Sequence, residues 1–150
     1  MQYWLMKSEP DTYSIDDLQS FGVDHWDGIR NYQVRNFFRD KMQVGDKAFF
    51  YHSNCKEPGI VGTMEIASKA YTDHTAFDPS EKYFDSKSDP ENPRWLMVDV
   101  RYLRHLDRMI TLGELRQQKK IADMKLLQRG NRLSVLPLSK KEWQYILDME

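Results

Sequence analysis

Residues 47–71 hold the densest run of strand-forming side chains in the sequence, and any fold has to pair them. The segments Lys47–His52 (KAFFYH) and Ile60–Tyr71 (IVGTMEIASKAY) are dominated by aromatic and β-branched or aliphatic residues, and the polar loop Ser53–Gly59 joins them through Pro58-Gly59. In the second segment Ile60, Met64, Ile66 and Ala70 share one face by the period of two, while Thr63, Glu65 and Lys69 share the other. One face is therefore expected in the core and the other in water. The first segment breaks this alternation, because Phe49, Phe50 and Tyr51 put rings on both faces before His52 and Ser53 end the strand. Rings followed at once by polar groups suit a pocket for a flat ligand, and they equally suit a central strand closed by a polar turn.

A chain of 150 residues fits one domain, residues 1–150, and a domain of that size buries roughly 70% of its unfolded surface. No stretch approaches the roughly 20 apolar residues of a membrane span, and Met1–Lys7 lacks the features of a secretory signal. With a single cysteine, Cys55, no internal disulfide is available, which agrees with a reducing, cytoplasmic setting. The net charge of −1 gives no general attraction to nucleic acid, so contact with phosphates has to come from a local patch.

Along the chain, Tyr3–Lys7 reads as a strand stopped by Ser8-Glu9-Pro10. Ser14 with Asp17 forms a relative of the capping box, and Ile15, Leu18 and Phe21 give a two-turn helix its apolar face before Gly22. Asn31 caps a helix in which Val34, Phe37, Phe38 and Met42 recur at helical spacing. Gly45-Asp46 turns the chain into the central pair. Residues 72–93, with Asp73, Asp78, Asp85, Asp89 and three prolines, read as a long solvated loop. Trp95–Leu103 is a third strand, with Leu96, Val98, Val100 and Tyr102 on one side. Thr111 with Glu114 and Ser139 with Glu142 match the capping box, the second opening a helix with a Trp143, Ile146 and Leu147 stripe, and Gly130–Val135 is a turn into another short strand. The elements imply an α+β fold, a mixed sheet or small barrel with peripheral helices.

Several chemistries are not signalled. The seven glycines stand singly at turns rather than in a phosphate-binding loop, so no nucleotide cofactor is expected. The histidines at 25, 52, 74 and 105 do not make a zinc spacing, the loop aspartates lack the calcium-loop pattern, and no metal is expected. His52 and Cys55 share one loop without an orienting third group. What remains is three segments that combine flat apolar groups with small polar ones: Lys7-Ser8-Glu9, Trp26 to Asn31, and Tyr51-His52-Ser53. Brought to one sheet edge they form a slot for an unstacked base, with Trp26 or Tyr51 as platform and Asn31 and Ser53 at the base edge. Lys7 and Arg30 then meet a phosphate or carbonyl, and Arg30, Arg35 and Lys56 are candidates for flanking phosphates. Taken singly, Trp26 is also a core residue and Asn31 also a helix cap.

The runs Tyr3–Pro10, Trp26–Asn36, Phe50–Ser53, Pro58–Gly62, Pro93–Trp95, Val98–Val100 and Gly130–Val135 resemble, in order and over nearly the whole chain, the EVE domain family. That family belongs to the PUA-like superfamily with the YTH and ASCH domains, and the resemblance implies a PUA-like small mixed β-barrel flanked by helices. It also implies a pocket for modified bases, notably 5-modified cytosine, lined by Lys7, Ser8, Trp26, Arg30, Asn31, His52 and Ser53, with Arg132 and Ser134 as further members. Val34 stands where many relatives have alanine, on the helix face. The expected function is thus a non-enzymatic reader of DNA or RNA carrying a modified base. The alternative is a small ASCH-like hydrolase of modified nucleosides that uses Lys7 beside Glu9.

Overall fold

The computed structural model describes residues 1–150. Seven strands, β1 Tyr3–Ser8, β2 Val23–Trp26, β3 Lys47–His52, β4 Gly59–Ile66, β5 Tyr71–Thr72, β6 Leu96–Thr111 and β7 Val135–Leu138, form one mixed sheet in the order β2-β6-β4-β3-β1-β7, with β5 on β6. Only β1 and β3 run parallel. The sheet does not close, since no ladder joins β2 to β7. Four helices flank it: α1 Ile15–Phe21, α2 Tyr32–Asn36, α3 Leu112–Arg116 and α4 Lys140–Leu147. The expected caps are present, with reciprocal capping boxes at Ser14/Asp17, Thr111/Glu114 and Ser139/Glu142 and Asn31 Oδ1 accepting from Val34 N at 3.1 Å.

The expectation of one wet sheet face is overturned. Both faces are covered, by two separate cores. Trp4, Met6, Ala48, Phe50, Met64 and Val100 pack on one side against Ile15 and Leu18 of α1 and Val34 of α2. Leu5, Phe49, Tyr51, Ile60 and Ile110 pack on the other against Leu115 of α3 and Trp143 and Ile146 of α4. The Phe49 and Trp143 rings stack at 4.0 Å. Rings on both faces of β3 are therefore core on both sides, each fully buried side chain of this kind contributing about 1.5–3 kcal/mol.

The alternation in β4 fails for a local reason. Phe50 pairs with Gly62 and Tyr51 with Ile60, so Val61 has no partner on β3, and the β6 ladder skips it as well. This bulge turns Ile60 toward the second core while Met64 and Ile66 stay in the first. At Gly62 a Cβ would lie 2.1 Å from Ile15 Cδ1, so only glycine lets α1 approach this closely.

Other boundaries differ from expectation. β4 ends at Ile66, because Ser68 Oγ replaces a ladder partner by accepting from Asp99 N at 2.9 Å, and the chain rejoins β6 only at Tyr71. β6 continues eight residues past Leu103, where only Leu106 and Ile110 are buried and the sequence shows no alternating apolar rhythm. Around these two buried residues, Arg104 pairs with Glu150 and Arg108 with Glu114. β2 is an edge strand that the sequence did not signal, since Val23-Asp-His-Trp26 carries little β-branched character. After α2 the chain widens into a π-helical turn, Phe37–Lys41, closed by Met42 N donating to Phe37 O at 2.8 Å. Phe21 is exposed rather than on the apolar face of α1. The Gly45-Asp46 turn is fixed by buried Asp46, which accepts from Trp4 Nε1 at 3.1 Å and Gln43 N at 2.9 Å.

Candidate base-binding cleft

Because β1 and β3 run parallel, both end at the same rim, with Ser8 opposite His52 and Ser53 N donating to Ser8 O at 3.0 Å. The residues before β7 join them, since Lys7 N donates to Ser134 O at 2.8 Å. The curl of the sheet brings the end of β2 to the same place. A cleft of 540 Å³ opens there, bordered by Lys7, Ser8, Trp26, Ser53, Arg132 and Ser134 among others. Six residues picked from the sequence thus share one cavity.

The other four lie elsewhere. Tyr51 points into the second core, away from the rim, and burial pushes its hydroxyl pKa up to about 12. His52 Nε2 accepts from Ile15 N at 3.2 Å, so it holds the first turn of α1. Burial lowers its pKa, with His105 in the same direction and Asp16 opposed, which favours the neutral, accepting ring. Asn31 spends its carbonyl on the α2 cap and faces a neighbouring groove. Arg30 faces the 72–93 loop, donating to Tyr83 O, to Ile29 O at 2.8 Å and to Asp73 Oδ2 at 3.0 Å. Arg35 donates to Asn36 Oδ1 at 2.9 Å and Arg94 O at 3.3 Å, and lies over the Tyr32 ring.

The structure adds cleft residues that sequence reasoning passed over: Tyr13, Asp24, Asp27, Ile29, Glu81, Lys82 and Tyr83. Tyr13 O accepts from Ser8 Oγ at 2.6 Å, and the Tyr13 hydroxyl donates to Asp24 Oδ2 at 2.7 Å. Burial and then Asp24 push the Tyr13 pKa far up, so this group stays a donor. The Asp27 carboxylate sits 3.6 Å from His25 Nε2. Burial raises its pKa, with His25 opposing and Asp73 and Glu81 adding to the rise.

Tyr83 comes from the loop expected to be solvated, and that expectation is corrected at Asp73. Asp73 is fully buried, because it accepts from Gly28 N at 3.0 Å, Arg30 Nη1 at 3.0 Å and Thr75 N at 2.9 Å. Burial alone would raise its pKa, but the hydrogen bonds from Thr75, Gly28 and Arg30 outweigh it and hold the carboxyl below the ordinary carboxylate value. Farther on, Asp85 accepts from Trp95 Nε1 at 2.7 Å. This strap lays the Tyr83 ring against Gly28, where φ is +80° and a Cβ would sit 2.6 Å from the ring. The sequence signals were the Asp-Gly pair at 27–28 and the long loop, but nothing in them paired Asp73 with Arg30.

A curled mixed sheet with helices on both faces and a polar, aromatic-walled cleft at its rim is the PUA-like architecture. Within it the chain belongs to the EVE domain family, whose profile matches residues 2–149. It is similar to human thymocyte nuclear protein 1, at 44% identity over 99% of this chain and 73% of that protein. A crystal structure of human THYN1 in complex with DNA containing 5-methylcytosine superposes with a TM-score of 0.91 at 42% identity, covering 99% of this chain and 97% of that one. A crystal structure of a Pseudomonas syringae protein superposes with a TM-score of 0.95 at 48% identity, over 98% of both chains. No helix is long and apolar enough to cross a membrane.

Proposed function

We propose that residues 1–150 act as one non-enzymatic reading module that takes a modified base, a 5-substituted cytosine in DNA or RNA, into the rim cleft. The observation that carries the reading is the cleft itself: aromatic Trp26, Tyr13 and Tyr83, open carboxylate acceptors and apolar Ile29 gathered around 540 Å³. The ligand of the human relative supports the choice of base. Lys7, Ser8, Trp26, Ser53, Arg132 and Ser134 are the binding residues of this proposal, with Asp27 and Tyr83 added.

Extruding a base from a duplex costs a few kcal/mol. Stacking on an aromatic face returns roughly 1–3 kcal/mol, so edge hydrogen bonds have to supply the rest. An ionised Asp27 only accepts, which fits the exocyclic amino group of cytosine and disfavours the carbonyl that uracil and thymine carry there. A 5-methyl group against buried Ile29 is worth about 0.8 kcal/mol, or roughly fourfold in affinity. Cys55, the single cysteine, supports a cytoplasmic setting.

The test is a low-salt titration of oligonucleotides of one sequence carrying 5-methylcytosine, cytosine or thymine at a single position. We expect the order methylcytosine, cytosine, thymine. Absence of binding, or equal affinities that Trp26→Leu leaves unchanged, would overturn the reading. The hydrolase alternative has one observation in its favour, the Lys7 amine whose pKa burial lowers beside Glu9 in the cleft. Incubation with acylated cytidines and mass spectrometry separates the two, because only an enzyme yields product that Lys7→Ala abolishes.

A further inference from the structure

Beside the cleft lies a second, shallower groove of 450 Å³, bordered by Asn31, Gln33, Lys125, Gln128, Asn131 and Arg132 and by no carboxylate. Arg132 borders both cavities, so the groove continues from the cleft mouth. The cleft, by contrast, sets Glu9, Asp24, Asp27 and Glu81 among its cations Lys7 and Lys82. The groove's cations are also unspent. Arg30, Arg39, Lys47, Arg101, Arg104 and Arg108 are ion-paired with carboxylates, whereas Lys125 and Arg132 are not. Asn31 uses its carbonyl oxygen in the α2 cap, which leaves its amide nitrogen as a donor. The segment Arg116–Arg132 holds six lysines and arginines and one acid, Asp123, within a chain of net charge −1. Two of these cations, Lys125 and Arg132, border the groove.

A base held in the cleft remains tied through its sugar to a backbone that has to leave by the mouth. From a surface of ammonium, guanidinium and amide donors without acceptor carboxylates, the partner that gains most is a run of phosphodiesters. We infer that the nucleotides flanking the extruded base run from Arg132 along this groove toward Lys125, their phosphates meeting these donors. This assignment rests on the reader function proposed above and deepens it. It moves the flanking-phosphate role away from Arg30 and Arg35, whose guanidinium groups are engaged within the protein.

The experiment compares two ligands, the free nucleoside 5-methyl-2′-deoxycytidine and a 12-nucleotide strand carrying 5-methylcytosine at its centre, across a salt series. For the strand we expect Lys125→Ala to weaken binding three- to tenfold at low salt and to flatten the dependence of log K on log salt by about 0.7, one phosphate contact on single-stranded nucleic acid. The same exposed-site variant should bind the nucleoside like the wild type. Arg132→Ala should weaken both ligands. Equal strand affinity and equal salt slope for Lys125→Ala and wild type would overturn the groove while leaving the cleft reading intact. Loss of nucleoside binding in Lys125→Ala would also overturn it, since the two cavities would then not be separable. Failure of the wild type to bind either ligand would overturn the cleft reading and with it this inference.

Discussion

The cleft and the groove next to it are built on opposite plans. Much of the cleft wall is already tied into the protein: the Tyr13 hydroxyl donates to Asp24, Gly28 N donates to buried Asp73, and the Tyr83 carbonyl accepts from Arg30. The groove is bordered by polar side chains of which Gln33, Lys125 and Arg132 have no internal hydrogen-bond partner, while Asn31, Gln128 and Asn131 have one each. Fixed acceptors in a walled cavity discriminate between base edges, because a wrong partner leaves a polar group unpaired. Long, free cations discriminate little, but they respond to any phosphate and adapt to its position. On the function proposed above, a protein of net charge −1 would divide its work, with base selectivity in a cleft of mixed charge and phosphate attraction in the groove that Lys125 and Arg132 border.

The sharpest way to break the contrast is to untie the cleft. Asp73→Ala leaves Arg30 without its buried partner and Gly28 N without an acceptor, and we expect it to lower stability by about 3–5 kcal/mol in denaturant unfolding. The groove should not respond in this way: Lys125→Ala is expected to leave the unfolding midpoint unmoved.

A milder disturbance is Gly28→Ala. The added Cβ meets the Tyr83 ring at 2.6 Å with φ at +80°, so we expect a loss of about 1–3 kcal/mol in stability. Nucleoside affinity should fall, while the salt slope of strand binding stays as in the wild type.

Asp27→Asn tests the discriminating acceptor itself. An amide presents a donor as well as an acceptor, so the preference for cytosine over thymine should shrink by about tenfold, equivalent to about 1.4 kcal/mol. The wild-type preference should also fall with acid. Since burial raises the Asp27 pKa, the loss should set in at a higher pH than for an ordinary carboxylate. A cytosine preference that is flat in pH and survives Asp27→Asn would remove this residue from the recognition.

The smallest effect is expected at His52, outside both cavities. Its folded pKa lies below the ordinary histidine value of about 6.5. Its contribution to stability is therefore complete above about pH 6.5 and is lost as the pH falls through the folded value. In His52→Gln, where an amide oxygen replaces the accepting nitrogen toward Ile15 N, the decline of the melting temperature on acidification should be shallower.

How much of this the sequence discloses differs between the same regions. The strand pair, the caps at Ser14, Asn31, Thr111 and Ser139, and the apolar stripe of α4 follow from period and local hydrogen-bonding chemistry, and the structure contains them. The rim residues Lys7, Ser8 and Ser53 are legible because they end runs of strand-like residues, which parallel pairing of β1 with β3 places together, and Trp26 because a bulky ring precedes the Asp-Gly turn. Coverage of the second face was not legible. It depends on Trp143 returning over Phe49 from 94 residues farther along the chain, and no local pattern encodes that. The same holds for Asp73. An aspartate in an aperiodic polar loop reads as solvated until Arg30 and Gly28 are seen to enclose it.

The bulge at Val61 carries a consequence for how this hairpin tolerates change. With Ile60 serving one hydrophobic interior and Met64 the other, the strand's register matters more than most of its individual side chains. Exchanging one aliphatic residue for another costs little, whereas deleting a single residue between Ile60 and Gly62 would rotate every position on one side of the cut by half a period. Variation in this stretch should therefore come as replacements and not as gaps.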